Sequence, residues 1–273
     1  STRCHKVQRM ERRNPYNRTQ KLISLFVLFS FLLSPLSAED AYAKALLLYE
    51  QKNYDACLST LKAEIRGEDE NSDLRILAAY CHIGKKSYSD ALYHLQQAVR
   101  KTSVRDSVYA DIVSLLFEMG RYRQARNAGY KYIEVFEDAE KAPPLDLQLA
   151  LAKACLVSAR ISEALKWARA AKQSDDNSIK HDALLTEARA LISLGKLDEA
   201  EIAVSYAEAI QKDPTHALLR AMIQEVLWAQ KSFPEQMRHE VLSAYEELTK
   251  SPNPKISQAA QKNIERVRAQ KAP

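Results

Sequence analysis

The chain has 273 residues, 46% of them hydrophobic and only five of them glycine. It is rich in Ala, Leu, Lys and Glu, a composition that favours helices over sheets. The formal charge of +5 is concentrated at one end. Seven of the 40 Lys and Arg residues but only one of the 35 Asp and Glu residues precede Glu39, leaving 33 basic and 34 acidic side chains over residues 39–273. So balanced a body gives no basic face for nucleic acid.

The basic segment leads into Leu22–Leu36, fifteen mostly apolar residues. That is the length of a signal-peptide core and short of the roughly 20 residues of a membrane-spanning helix. Pro35 breaks the run, and Ser37-Ala38 supplies small residues before an expected cut at Ala38/Glu39. Residues 1–38 are therefore expected to be a signal peptide with a long basic n-region, with Met10 a candidate initiator. The alternative is an uncleaved anchor at residues 22–36, with the rest of the chain on the trans side of an inner membrane. Glu39 stands where a lipoprotein would need its lipid-bearing Cys, which argues against lipidation.

Beyond the leader a phrase recurs. It reads Asn53-Tyr-Asp-Ala-Cys57, Ser87-Tyr-Ser-Asp-Ala91, Gly120-Arg-Tyr-Arg-Gln-Ala125, Arg160-Ile-Ser-Glu-Ala164 and Gly195-Lys-Leu-Asp-Glu-Ala200. Its last small residue falls at 57, 91, 125, 164 and 200, at intervals of 34, 34, 39 and 36. In the clearest copy a helical pattern from Tyr109 to Met119 stops at Gly120, which can take the left-handed conformation that ends helices. A new helix follows at Tyr122, and Ala125 lets the two backbones approach. Helix-turn-helix chemistry at a period near 34 predicts stacked helical hairpins.

In chain order the expected hairpins are Asp40–Gln51 with Tyr54–Arg66, and Asp73–Ile83 with Tyr88–Arg100. The turn of the second, read from Gly84 to Ala91, is two residues longer than the others. The Gly120 hairpin comes third, with a second helix reaching Glu137 or beyond. Pro143-Pro144 restarts the chain, since Pro suits a helix's first turn, and this accounts for the 39-residue interval. Asp146–Ser158 with Ser162–Lys172 and Lys180–Leu194 with Leu197–Lys212 follow. A degenerate pair, Thr215–Gln230 and Pro234–Thr249, precedes Ser251-Pro-Asn-Pro254. The final helix, Lys255–Ala269, has a polar face (Gln258, Gln261, Lys262, Glu265, Arg266) suited to closing the end of a stack. The expected organisation is a leader (1–38), a repeat domain (39–250) and a capping helix with tail (251–273).

These residues resemble the tetratricopeptide-repeat family. The matches are Val113, Leu116, Gly120, Tyr122 and Ala125 in the third repeat, and Ala188, Leu191, Gly195, Leu197, Ala200, Val204, Ala207 and Pro214 in the fifth. The first turn lacks Gly, Ala159 replaces it in the fourth, and most terminal prolines are missing. The resemblance runs from about Asp40 to Ala229. It implies an all-α fold, a right-handed α-solenoid of about five to six repeats.

Catalytic or metal chemistry needs convergent groups, and the sequence offers none. His82, His94, His181, His216 and His239 follow no metal-ligand spacing. There is no Gly-rich phosphate loop and no Gly-x-Ser-x-Gly elbow. The expectation is no enzyme, no metal and no cofactor. Cys57, Cys81 and Cys155 occupy helix positions that favour small packed residues, so buried thiols are expected. A Cys57–Cys81 bond is the alternative in an oxidising compartment.

In the resembled family the first helices of successive repeats line a groove that grips a partner's peptide or helix. Carried over by position, that implies a partner-binding groove of Tyr42, Tyr49, His82, Ser114, Phe117, Lys153 and Arg189, with apolar Leu149, Leu156, Leu185 and Ile192. The paired cations with which chaperone-tail members clamp a carboxylate are absent, because Tyr42, Leu46 and Ala110 hold those places. The expected function is an exported protein–protein scaffold in a bacterial envelope assembly, periplasmic or secreted. Aromatic anchors would bury area, and Lys153 and Arg189 would select acidic segments. The alternative is a carrier holding an apolar or glycan ligand against Leu149, Leu156, Leu185 and Ile192.

Overall fold

In the computed structural model, residues 38–65, 72–100 and 104–270 are described. The leader and most of the acidic connector before Asp73 lie outside them. Among the described residues all regular structure is helical: α1 (Ala38–Glu50), α2 (Tyr54–Glu64), α3 (Ser72–Gly84), α4 (Tyr88–Ala98), α5 (Ser107–Glu118), α6 (Tyr122–Asp138), α7 (Leu145–Val157), α8 (Ile161–Ala171), α9 (Asn177–Ser193), α10 (Leu197–Ile210), α11 (Pro214–Gln230), α12 (Glu235–Leu248) and α13 (Pro254–Ala269). The described chain divides after Glu64 into two compact units. The first is the single hairpin α1–α2, which buries Ala41, Ala45, Cys57 and Leu61. The second holds α3 to α13.

Each marker residue of the repeat (Cys57, Ala91, Ala125, Ala164 and Ala200) is fully buried. Five residues before each of them the backbone turns left-handed, at Lys52, Lys86, Gly120, Ala159 and Gly195. A residue with a Cβ pays roughly 1–2 kcal/mol for that conformation, yet three of the five turns adopt it without glycine. This corrects the expectation for the second hairpin. Gly84 is the last residue of α3, the turn is made at Lys86, and its length equals the others. The hydrogen bonds repeat with it: Ser87 N–H reaches back to His82 O, Arg121 to Leu116, Arg160 to Cys155 and Lys196 to Leu191. Helix α6 ends where Glu140 takes the same conformation.

In the second unit every helix packs on the next, and α5, α7, α9, α11 and α13 also pack on one another in turn. The cores are handed along the chain. One is built around Ile112, Leu116, Leu147 and Leu151, the next around Leu184, Leu191, Val204 and Leu219, and the last around Trp228, Tyr245 and Ile264. Half-buried Leu156 touches the first two, and Met222 the last two. Such a succession, in which each hairpin buries its apolar side on its neighbours, is nearest-neighbour architecture. The final helix shows the expected polar face, with Gln258, Gln261, Lys262, Glu265 and Arg266 all exposed.

Gly129 is the one glycine inside the helices of this stack that is fully enclosed. A Cβ there would lie 2.8 Å from Leu151 Cδ1 and 3.2 Å from its Cβ. Glycine thus lets α6 lie directly on α7, and that contact fixes how the third hairpin meets the fourth.

Candidate functional site

Helices α5, α7 and α9 present a concavity of about 410 Å3 lined by Ser114, Phe117 and Glu118, by Ala150, Lys153, Leu156 and Val157, and by Thr186 and Arg189. It forms because these three first helices pack side by side while their partners lie behind them. Four of the seven residues implied for the groove, Ser114, Phe117, Lys153 and Arg189, meet here. Phe117 is half-buried, and its ring meets Tyr122 edge-on at 5.1 Å, so it is held in one orientation as a wall.

The two cations differ. Lys153 Nζ lies 2.6 Å from Asp182 Oδ2 and is already paired. Asp182 also sits 3.5 Å from His181 Nδ1. His181 continues a chain inward, since its Nε2 is 3.3 Å from His216 Nε2, and His216 Nδ1 accepts from the Asp213 N–H at the start of α11. The Arg189 guanidinium has neither a hydrogen-bond nor an ion-pair partner among the described residues. Desolvation pulls its pKa down, with Asp182 and Asp213 pulling the other way from a distance. A desolvated cation that lines a cavity without a paired carboxylate is chemically suited to an anion.

The other three implied residues lie elsewhere. His82 does not line the concavity. It stacks on His94 with ring centroids 5.3 Å apart and planes 18° from parallel, so it packs within its own hairpin. Tyr42 and Tyr49 belong to α1 in the first unit, where both are half-buried and Tyr49 packs on Tyr54 at 5.9 Å. Of the apolar residues on which a carrier would depend, Leu149, Leu185 and Ile192 are buried within helix packing. Of these four only Leu156 lines the concavity, beside Phe117, Ala150 and Val157. Cys155 is fully buried 3.6 Å from Tyr130 Oη; burial raises its thiol pKa and keeps it a packed thiol. No group of His, Cys, Asp and Glu able to hold a metal exists among the described residues.

Solved structures share this arrangement of hairpins. A tetratricopeptide repeat protein from Parabacteroides merdae superposes with a TM-score of 0.65 at 15% identity, over 84% of this chain and 86% of that one. YrrB, described as a TPR protein with an unusual peptide-binding site, superposes with a TM-score of 0.52 at 14% identity, over 80% of this chain and 98% of its own. The fold is that of a tetratricopeptide-repeat protein. A family model for anaphase-promoting complex, cyclosome, subunit 3 matches residues 24–98. No curated protein matches the chain in sequence. The α5/α7/α9 concavity therefore lies on the first helices of three successive tetratricopeptide-repeat hairpins. Sequence reasoning placed Lys153 and Arg189 in one groove but missed Asp182, on the next first helix, which pairs with Lys153.

Proposed function

We propose that the protein is a non-catalytic scaffold that takes a peptide segment of a protein partner into the α5/α7/α9 concavity. The unpartnered Arg189 guanidinium carries this reading. A carboxylate of the segment pairs with Arg189, and apolar side chains lie against Phe117 and Leu156. Lys153, already held by Asp182, shapes the wall instead of competing for the ligand. The partner is a protein of a bacterial envelope assembly and the scaffold is exported, a reading supported by the basic-then-apolar leader. No helix among the described residues is long and apolar enough to cross a membrane.

Partner co-purification from the source cell, with Arg189→Gln and Phe117→Ala made separately, tests the reading. Each change is expected to weaken retention about tenfold or more, the usual effect of removing a buried anchor, with helical circular dichroism unchanged. Undiminished retention by both folded variants would place binding elsewhere.

A further inference from the structure

A second surface is more open and more polar than the concavity. First helices pack on one another, but α6 and α8 do not. They are held apart by α7, and between their N-terminal halves lies an open cleft of about 490 Å3. Arg126, Asn127 and Tyr130 line it from α6, and Arg160, Glu163, Lys166 and Trp167 from the start of α8. Cys155 of α7 touches its Tyr130 side, whereas Lys153, about 200° away around the same helix, faces the concavity. The cleft therefore lies across α7 from the concavity.

Three cations edge this cleft, and none has a carboxylate within ion-pair distance among the described residues. Several other cations of the second unit are paired: Arg169 and Lys172 hold Glu187, Arg220 holds Glu201 and Glu208, and Arg266 holds Glu225. The only carboxylate of the cleft, Glu163, is taken by the Tyr130 hydroxyl. Lys166 Nζ sits 4.5 Å from the Trp167 ring centroid, and Trp167 meets Tyr130 edge-on at 6.5 Å. The charge order of α6 also runs against its own dipole. Arg121, Arg123 and Arg126 crowd its N-terminal end, while Glu134, Glu137 and Asp138 crowd its C-terminal end. The helix dipole favours the reverse, so the dipole does not explain these arginines.

We infer that the α6/α8 cleft is a second docking site, for an acidic peptide segment of a protein partner. Carboxylates pair with Arg126 and Arg160, Asn127 donates a hydrogen bond, and the chain lies along the Trp167 and Tyr130 rings. With the concavity on the far side of α7, the scaffold can hold two segments at once.

The test uses the full chain and fluorescein-labelled hexaglutamate. Anisotropy is expected to rise on binding and to fall off with added salt, as for an exposed ionic contact. Emission from Trp167 is expected to change and the change to vanish in Trp167→Phe, since the other tryptophan, Trp228, is buried. Arg126→Ala with Arg160→Ala is expected to weaken the Trp167 response at least tenfold. Charge reversal, Arg126→Glu with Arg160→Glu, should transfer the preference to hexalysine, a gain that a misfolded variant could not show. Loss in Arg189→Gln alone would assign the peptide to the concavity and overturn the proposal. So would an equal Trp167 response to inorganic phosphate alone, which would make the cleft a simple anion site.

Discussion

Trp228→Ala is expected to cost about 3–5 kcal/mol, the range for deleting a fully buried aromatic side chain, and to do so locally. Trp228 is 1% exposed and closes the turn between α11 and α12. Its ring meets Phe233 edge-on at 4.8 Å, and its Nε1–H donates to Pro234 O at 3.1 Å. Those contacts hold Ser232 and Phe233, two successive residues in the left-handed region without glycine, a conformation that persists only when its surroundings over-determine it. The same core contains Tyr245, whose hydroxyl donates to Glu225 Oε2 at 2.6 Å, and Glu225 also takes a two-point grip from Arg266 at 2.8 and 2.7 Å. Denaturant unfolding gives the magnitude. Amide hydrogen exchange gives the place: α11, α12 and α13 should lose protection while α5 to α9 keep theirs. Equal loss throughout would mean one shared core and would contradict nearest-neighbour stacking.

Acidification is expected to destabilise the second unit through its stacked histidines. Burial, the neighbouring His82 and Arg75 lower the pKa of His94 to about 4, against the weaker pull of Asp90. Burial lowers that of His82 as well, although Asp90 Oδ2 lies 3.8 Å from its Nδ1. Both Nδ1 atoms are buried without a hydrogen-bond partner, and a proton added at His94 Nδ1 gains no acceptor and places charge against a stacked ring. The sign follows from the direction of the shift. Unfolded histidine binds its proton near pH 6.5 and the folded ring resists, so stability is full above 6.5 and is lost as pH falls toward 4. For His94 the loss is on the order of 3 kcal/mol across that window. Urea unfolding at pH 7 and pH 4 should show it, and His94→Phe, which keeps a stacking ring without a titrating nitrogen, should recover most of it. A His94→Phe variant as acid-sensitive as the parent would assign the loss to other groups.

The repeat was legible in the sequence because its signal is steric. A small residue must stand where two helices touch, so Cys57, Ala91, Ala125, Ala164 and Ala200 marked every second helix correctly. The turn of the second hairpin was misread because glycine was taken as the marker of the left-handed residue. The packing of two helices sets that position, and Lys86 or Ala159 accepts the strain when no glycine stands there. The groove was legible only in part. Helical position brings Phe117, Lys153 and Arg189 to one wall, but no local pattern shows that Asp182, one repeat later, pairs with Lys153. Leu149, Leu185 and Ile192 looked like groove residues for a related reason: first helices in a stack are apolar almost all round, because they bury flanks on two neighbours as well as on their own partner. The cleft between α6 and α8 escaped because its arginines lie one repeat apart, at positions 126 and 160, and look like ordinary solvated charge until their missing carboxylate partners are sought.

The binding role proposed for the α5/α7/α9 concavity is tested most directly by photo-crosslinking in the source cell from a photoreactive residue at Ser114, an exposed position on its rim. The account predicts one discrete adduct, mapping to a segment of the partner that carries Asp or Glu beside apolar residues, and its disappearance when Arg189→Gln is introduced. An adduct that persists unchanged in Arg189→Gln, or one whose crosslinked segment has no acidic residue, would contradict it.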